Sequence, residues 1–301
     1  MSRSEAMAAA TGDFVKYQAL GNDYLILDPA ALAVRPTAEN IRLLCDRHYG
    51  VGADGVLIGP LGPVRPGEPI EARLYNSDGT ECEKSGNGIR IFGLYLAARH
   101  RLGNRFVVRT LGGDTAVEII DPASGLVSVG MGAPDFSAAA VPALGLGDRV
   151  LGQELALADR TVTVTSLNNG NPHTVLVLDE VSPDLARELG PQIATHPAFP
   201  SRTNVQFAQV VDSKTIRIEI WERGAGYTLS SGSSSCAAAA ACHELGLVSD
   251  TVQVLMQGGA VDVQFDDQGA ITMTGVAELV ASGAFGPRLR HALAAPPSDP
   301  A

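Results

Sequence analysis

The sequence predicts an α+β fold of two pseudo-symmetric lobes made by internal duplication, and three features point to it. Text repeats at a constant spacing: "LYNSDGTECEKSGNGIR" from Leu74 lies over "IWERGAGYTLSSGSSSC" from Ile220, so Asn76 falls on Glu222, Ser85 on Ser231 and Gly86 on Gly232, each 146 residues on. "GGDTAVEI" from Gly112 lies over "GGAVDVQF" from Gly258 at the same spacing, while "GNDYLILD" from Gly21 resembles "GNPHTVLVLD" from Gly170 with a shift of about three residues. Each half also has the same order of elements: β-branched strands, a polar turn, a long helix and a Gly-Gly hairpin. Pro, Ala and Gly collect in "GAPDFSAAAVPALG" between about Gly132 and Leu146, which marks a boundary. An N-terminal lobe of residues 1–131, completed by 278–301, and a C-terminal lobe of 132–277 follow.

In chain order, "DYLILD" from Asp23 reads as a strand because apolar and β-branched residues fill it. "TAENIRLLCDRH" (Thr37–His48) reads as a helix with a Thr cap and an acid in its first turn. "EARLYN" from Glu71 is a second strand, and a helix runs from Ser85 to about Arg101. "LGGD" then turns a hairpin. The second half repeats the order with "HTVLVLD" from His173, a helix at Ser182–Ile193, "TIRIEIW" from Thr215, a helix at Gly232–Leu245 and a hairpin at "QGGA". "ITMTGVA" ends it, and the segment after Glu278 returns to the first half.

The chain has 301 residues, 45% hydrophobic, enough for one large core or two smaller ones. Its 22 basic and 33 acidic residues give a formal charge of -11, which argues against nucleic acid or an anionic membrane as main partner. Aromatics at 5% argue against base-stacking platforms as well. No stretch approaches a membrane span, and "MSRSEAMAAATG" reads as a loose leader rather than a signal peptide. Cys45, Cys82, Cys236 and Cys242 have no metal spacing, so a cytoplasmic, reduced setting without a metal is expected. Neither helix start has the Lys-Ser/Thr of a P-loop or spaced dinucleotide glycines, and no cofactor is expected.

The two serine–glycine helix starts carry the chemistry. At a helix N-terminus, backbone N–H groups and the positive end of the dipole converge, which favours a carboxylate. Two similar lobes leave a cleft, with repeat-related residues on opposite sides, and Ser85 and Ser231 form such a pair. An atom beside a carboxylate held there has one side chain on each face, a geometry suited to inverting the carbon α to the carboxylate. The plainer reading of a Ser-Gly helix start is an N-cap, with the hydroxyl bonded to an N2 or N3 amide.

"ALGNDYLILD" from Ala19, "RHYGVGADGVL" from Arg47, "YNSDGTECEKSGNGIR" from Tyr75, "NNGNPHTV" from Asn168, "FPSRTNVQF" from Phe199 and "WERGAGYTLSSGSSSCAAA" from Trp221 resemble the motifs of the diaminopimelate epimerase family in order and spacing. The resemblance implies two pseudo-symmetric α/β lobes, a cofactor-independent isomerase, an amino-acid substrate, a place in lysine biosynthesis and a possible homodimer. It implies that Asn76, Asn204 and Arg223 hold the unreactive end of the substrate and that Asn22 and Asn171 line the cleft. The amides of Gly86, Asn87, Gly232 and Ser233 would hold the reacting carboxylate, with His173 and Glu222 beside the catalytic pair. Two departures stand out. Family members have cysteine where this chain has Ser85 and Ser231, and a hydroxyl is a far weaker acid than a thiol of reference pKa about 8.5. Tyr227 stands where the family has an acidic residue, which is expected to alter the wall of the cleft.

Three functions are compatible with these residues. One is an epimerase or racemase in which Ser85 and Ser231 replace the thiols. Another is an amino-acid-binding homologue that keeps the carboxylate cradle without catalysis. The third is a Cys-to-Ser variant of a diaminopimelate epimerase.

Overall fold

The computed structural model describes residues 12–31, 35–100 and 102–294. The predicted leader, up to residue 11, lies outside the described residues, as does Arg101, where the first long helix was expected to end. Two compact units are present: the chain up to Val129 together with the chain from Val276, and Gly130–Gly275.

The first unit runs β1 (Phe14–Ala19), β2 (Asn22–Leu27), α1 (Ala38–Cys45), β3 (Gly55–Ile58), β4 (Ile70–Glu71), β5 (Arg73–Asn76), β6 (Glu81–Cys82), α2 (Gly86–Arg99), β7 (Arg105–Thr110), β8 (Gly113–Asp121) and β9 (Leu126–Gly132). The second runs β10 (Gln153–Ala156), β11 (Thr161–Asn168), β12 (Pro172–Val177), α3 (Pro183–Ala194), β13 (Asn204–Asp212), β14 (Thr215–Glu222), β15 (Gly226–Thr228), α4 (Gly232–Glu244), β16 (Thr251–Met256), β17 (Gly259–Phe265) and β18 (Ile271–Val276). β19 (Glu278–Gly283) and α5 (Pro287–Ala294) belong with the first unit.

The two units share one topology. In the first, the sheet order is β19-β1-β2-β3-β5-β6, with β2 and β3 parallel and the other neighbours antiparallel. In the second, β10-β11-β12-β13-β14, with β15 on β14, has its parallel pair at β12 and β13. A parallel pair needs a crossover, which α1 and α3 supply. The spacing seen in the text persists in the ladders. Ile70 pairs with Val108 and Ile216 with Val254, and the hairpins close at Thr110–Gly113 and Met256–Gly259.

Local chemistry sets the helix starts. Thr37, Ser85, Ser182 and Ser231 are all N-caps, each side chain accepting the amide three residues on. In the first unit, Leu25, Leu27, Val56 and Ile58 of the sheet pack with Ile41 and Leu44 of α1 and Leu293 of α5. α2 lies against β1, β2 and β8, and Gly86 through Leu96 are all buried. α4 lies against β11, β12, β13 and β17, buried from Ser234 through Cys242. Burial on all sides explains why neither central helix shows a polar stripe. Among the described residues no helix is long and apolar enough to cross a membrane.

Candidate active site

The α2 start presents Ser85 in extended backbone (φ -133°, ψ 117°) as N-cap. Its Oγ accepts the Gly88 amide at 3.1 Å, and its carbonyl accepts the Ile89 amide at 2.8 Å. The amides of Gly86 and Asn87, at the first two helical positions, precede the helix's own hydrogen-bond ladder. Asn22 sits beside them: its Oδ1 accepts from Asn87 Nδ2 at 3.2 Å, and its Nδ2 donates to Asp54 Oδ2 at 3.1 Å. Asn87 in turn accepts from Arg90 Nη2 at 2.8 Å. Asn76 is exposed and turned to its own loop, donating to Thr80 Oγ1 at 3.0 Å.

Tyr24 joins this group, and the sequence reading did not single it out. Its hydroxyl donates to Ser85 Oγ at 3.1 Å, and its ring lies over Gly55 on the neighbouring strand. A Cβ at Gly55 would lie 2.5 Å from Tyr24 Cε1, so only glycine leaves room for the ring. A signal existed in the shifted repeat, which lays Tyr24 on His173. The strand register agrees. Tyr24 pairs with Gly55 and Gly55 with Asn76; His173 pairs with Asn204, the residue before the Val205–Trp221 pair that precedes Glu222.

The α4 start repeats the cap. Ser231 (φ -151°, ψ 127°) accepts the Ser234 amide at Oγ, 3.4 Å, and the Ser235 amide at its carbonyl, 3.0 Å. Ser233 Oγ is 3.5 Å from Ser231 Oγ, and Gly232 and Ser233 hold the positions of Gly86 and Asn87. Two supports were not anticipated: Asn169 Nδ2 donates to the Ser233 carbonyl at 2.9 Å, and Gln206 Nε2 to Ser234 Oγ at 3.0 Å.

His173 is fully buried, and its ring bonds Asn171 Oδ1 at 2.7 Å rather than Ser231. An amide oxygen only accepts, so Nε2 carries the proton and Nδ1 is bare. Neither Nδ1 nor Gln206 Oε1 has a hydrogen bond of good geometry. Burial pushes the imidazole down to about 3 and the Arg223 charge adds to this, although Gln206 opposes it. His173 is therefore neutral at pH 7.

Asn204 is buried and ties two strands, with Nδ2 donating to the Pro172 carbonyl at 3.0 Å and Oδ1 accepting the Arg223 amide at 3.1 Å. The exposed Arg223 side chain donates to the Ser201 carbonyl at 3.3 Å. Half-buried Glu222 ends β14 opposite Gly226, on the side of the strand shared with Ile218 and Ile220. Tyr227 departs from expectation. It pairs with Trp221, its hydroxyl donates to buried Glu219 at 2.6 Å, and Arg187 of α3 stacks on its ring at 4.2 Å. Strand alternation turns it away from Glu222 and towards the core beneath α3.

No cysteine replaces either serine. Cys82 is half-buried with Sγ donating to the Lys84 carbonyl at 3.3 Å, and Cys45, Cys236 and Cys242 are buried. Burial pushes the Cys45 and Cys242 thiols up to about 12. Among the described residues, no group of three His, Cys, Asp or Glu side chains is placed to hold a metal ion.

The family model described as diaminopimelate epimerase matches residues 14–137 and 165–280. Diaminopimelate epimerase 2 of Nostoc sp. (strain PCC 7120 / SAG 25.82 / UTEX 2576) is 44% identical over 271 residues, which are 90% of this chain and 94% of that protein. The diaminopimelate epimerase of Heliobacterium modesticaldum is 37% identical over 279 residues, 90% of this chain and 98% of that one. A solved hydroxyproline epimerase from Agrobacterium vitis superimposes with a TM-score of 0.65 at 14% identity, covering 89% of this chain and 90% of the other. A probable proline racemase from Agrobacterium radiobacter K84 does so with a TM-score of 0.63 at 15% identity, covering 92% and 95%. Identities this low speak to the fold alone. With a model match reaching into both units and relatives aligned along 90% of its length, this chain belongs to the diaminopimelate epimerase family.

Proposed function

We propose that the chain is a cofactor-independent isomerase that moves a proton at the α-carbon of an amino acid, with diaminopimelate as its substrate. The observation that carries this reading is the matched pair of helix starts, Ser85-Gly86-Asn87 and Ser231-Gly232-Ser233, with the same cap geometry in each unit. Inversion takes a proton from one side of a carbon and returns one to the other, so it needs two acid–base groups. Each unit supplies one hydroxyl. The N-terminal amides beside each hydroxyl favour a carboxylate and the negative charge that spreads into it when the α-proton leaves. Asn76, Asn204 and Arg223 are assigned to the far end of the substrate, and Asn22 and Asn171 to its flanks.

The test is solvent exchange. Diaminopimelate incubated with the protein in deuterium oxide takes up deuterium at an α-carbon, read by proton NMR or mass spectrometry. Ser85→Ala and Ser231→Ala each lower that uptake by a factor on the order of 10² or more. A second reading, a carboxylate-binding homologue without catalysis, is favoured by one observation: the His173 ring bonds Asn171 and not Ser231. Tight binding across an amino-acid panel with no exchange selects it. Recovery of fast epimerisation in the Ser85→Cys, Ser231→Cys double variant selects a thiol parent instead.

A further inference from the structure

We infer that Tyr24 is the proton relay of the first unit: its phenol recharges the Ser85 hydroxyl during the proton transfer proposed above. The inference rests on that reading, and it answers what activates a hydroxyl where the family uses a thiol.

Three observations carry it. Tyr24 is buried, and its hydroxyl donates to Ser85 Oγ at 3.1 Å. Gly55, whose Cβ would lie 2.5 Å from Tyr24 Cε1, leaves the space in which the ring reaches that serine. Ser85 Oγ also accepts the Gly88 amide at 3.1 Å. A hydroxyl has two acceptor sites and one donor. Both acceptor sites of Ser85 are thus occupied, one by an amide and one by the phenol, and its O–H is the valence left to point at a ligand. In this protonation state Ser85 is a donor, which makes the first unit the acid side of the reaction.

The transfer balances. As the α-carbanion forms a C–H bond, the Ser85 O–H bond breaks, and the Tyr24 O–H bond breaks to form a new Ser85 O–H. The negative charge that began on carbon ends on the phenol oxygen. In the opposite direction the phenolate takes the Ser85 proton while Ser85 takes the α-proton. Water returns the proton between turnovers. A phenol has a reference pKa near 10 against about 8.5 for a thiol, so a phenol behind a serine restores most of the acidity lost with the sulfur. At Ser231 the residue at the matching register is His173, and its ring is held by Asn171. The two halves have diverged in this chemistry, a phenol in one and a neutral imidazole in the other.

Tyr24 acts through Ser85, so its test needs more than loss of activity. Tyr24→Phe keeps the ring over Gly55 and removes only the relay. Uptake of deuterium from solvent at the α-carbon of diaminopimelate falls about 10²-fold, with binding of diaminopimelate by calorimetry and the unfolding midpoint little changed. Replacing Tyr24 with 3-fluorotyrosine, a more acidic phenol of nearly the same shape, restores exchange and moves the basic limb of the pH–rate profile to lower pH. That second variant keeps the inference testable should Tyr24→Phe fold poorly. Exchange by Tyr24→Phe at the unsubstituted rate, or a basic limb unmoved by 3-fluorotyrosine, overturns the role of Tyr24 and leaves the isomerase reading intact. No exchange by the unsubstituted protein overturns both.

Discussion

His173 offers the sharpest numerical test of the structure. The ring is fully buried, bonded through Nε2 to Asn171 at 2.7 Å, and pushed down to about 3 from its ordinary 6.5. Below pH 6.5 the unfolded chain takes up a proton at this residue and the folded protein does not. The unfolded state then binds more protons, so stability is fully present above pH 6.5 and falls as pH drops towards 3. One proton of difference is worth about 1.4 kcal/mol per pH unit. Between pH 6.5 and pH 5 the loss from this one group is thus about 2 kcal/mol. His173→Gln keeps an N–H donor for Asn171 and removes the titration. Urea unfolding of both proteins at pH 7 and pH 5 gives the result as a difference of differences. The unsubstituted protein loses about 2 kcal/mol more than the variant over that interval. His100, also lowered by burial, is present in both proteins and cancels. Equal losses would show that the folded protein protonates His173, and the buried neutral imidazole would have to be abandoned.

Three further outcomes follow from the geometry. Burial would raise the Asp23 carboxyl, but hydrogen bonds from Arg47 and Lys16 outweigh it and hold the group at about 2. A lowered carboxyl contributes stability above its unfolded value and loses it as pH falls, so Asp23→Asn abolishes a stability slope between about pH 4 and pH 2 and costs about 2 kcal/mol at pH 7, read from unfolding midpoints across that range. Gln206→Leu leaves the fully buried Ser234 hydroxyl without its donor and lowers stability by about 1–3 kcal/mol in urea titration; an unchanged midpoint counts against the Gln206–Ser234 bond. Gly55→Ala places a Cβ 2.5 Å from the Tyr24 ring, costs about 1–3 kcal/mol by denaturation, and slows α-deuterium uptake as the ring moves from Ser85.

What could be read from the chain alone was local or periodic. The four capping residues Thr37, Ser85, Ser182 and Ser231 each bond an amide three residues away, so their role is written within one turn of sequence. The matching order of elements in the two units was legible for a related reason: a shared ladder register, such as Ile70–Val108 and Ile216–Val254, demands similar strands at similar spacing. The partners of the site residues were not legible, because they depend on which strands lie side by side and which way a ring turns. Tyr24 and Ser85 are 61 residues apart, and their contact requires the β2–β3 pairing and the empty space at Gly55. Tyr227 was expected at the wall of the site, yet its pairing with Trp221 fixes it on the α3 side of the sheet, where Glu219 takes its hydroxyl. Sequence by itself determined the repeat, the helix starts and the serines at their tips, since hydrogen-bond geometry along the backbone dictates those. Only the tertiary structure decided what stands behind each serine, a phenol at Ser85 and no imidazole at Ser231, because side-chain direction is set by packing between strands distant in the chain.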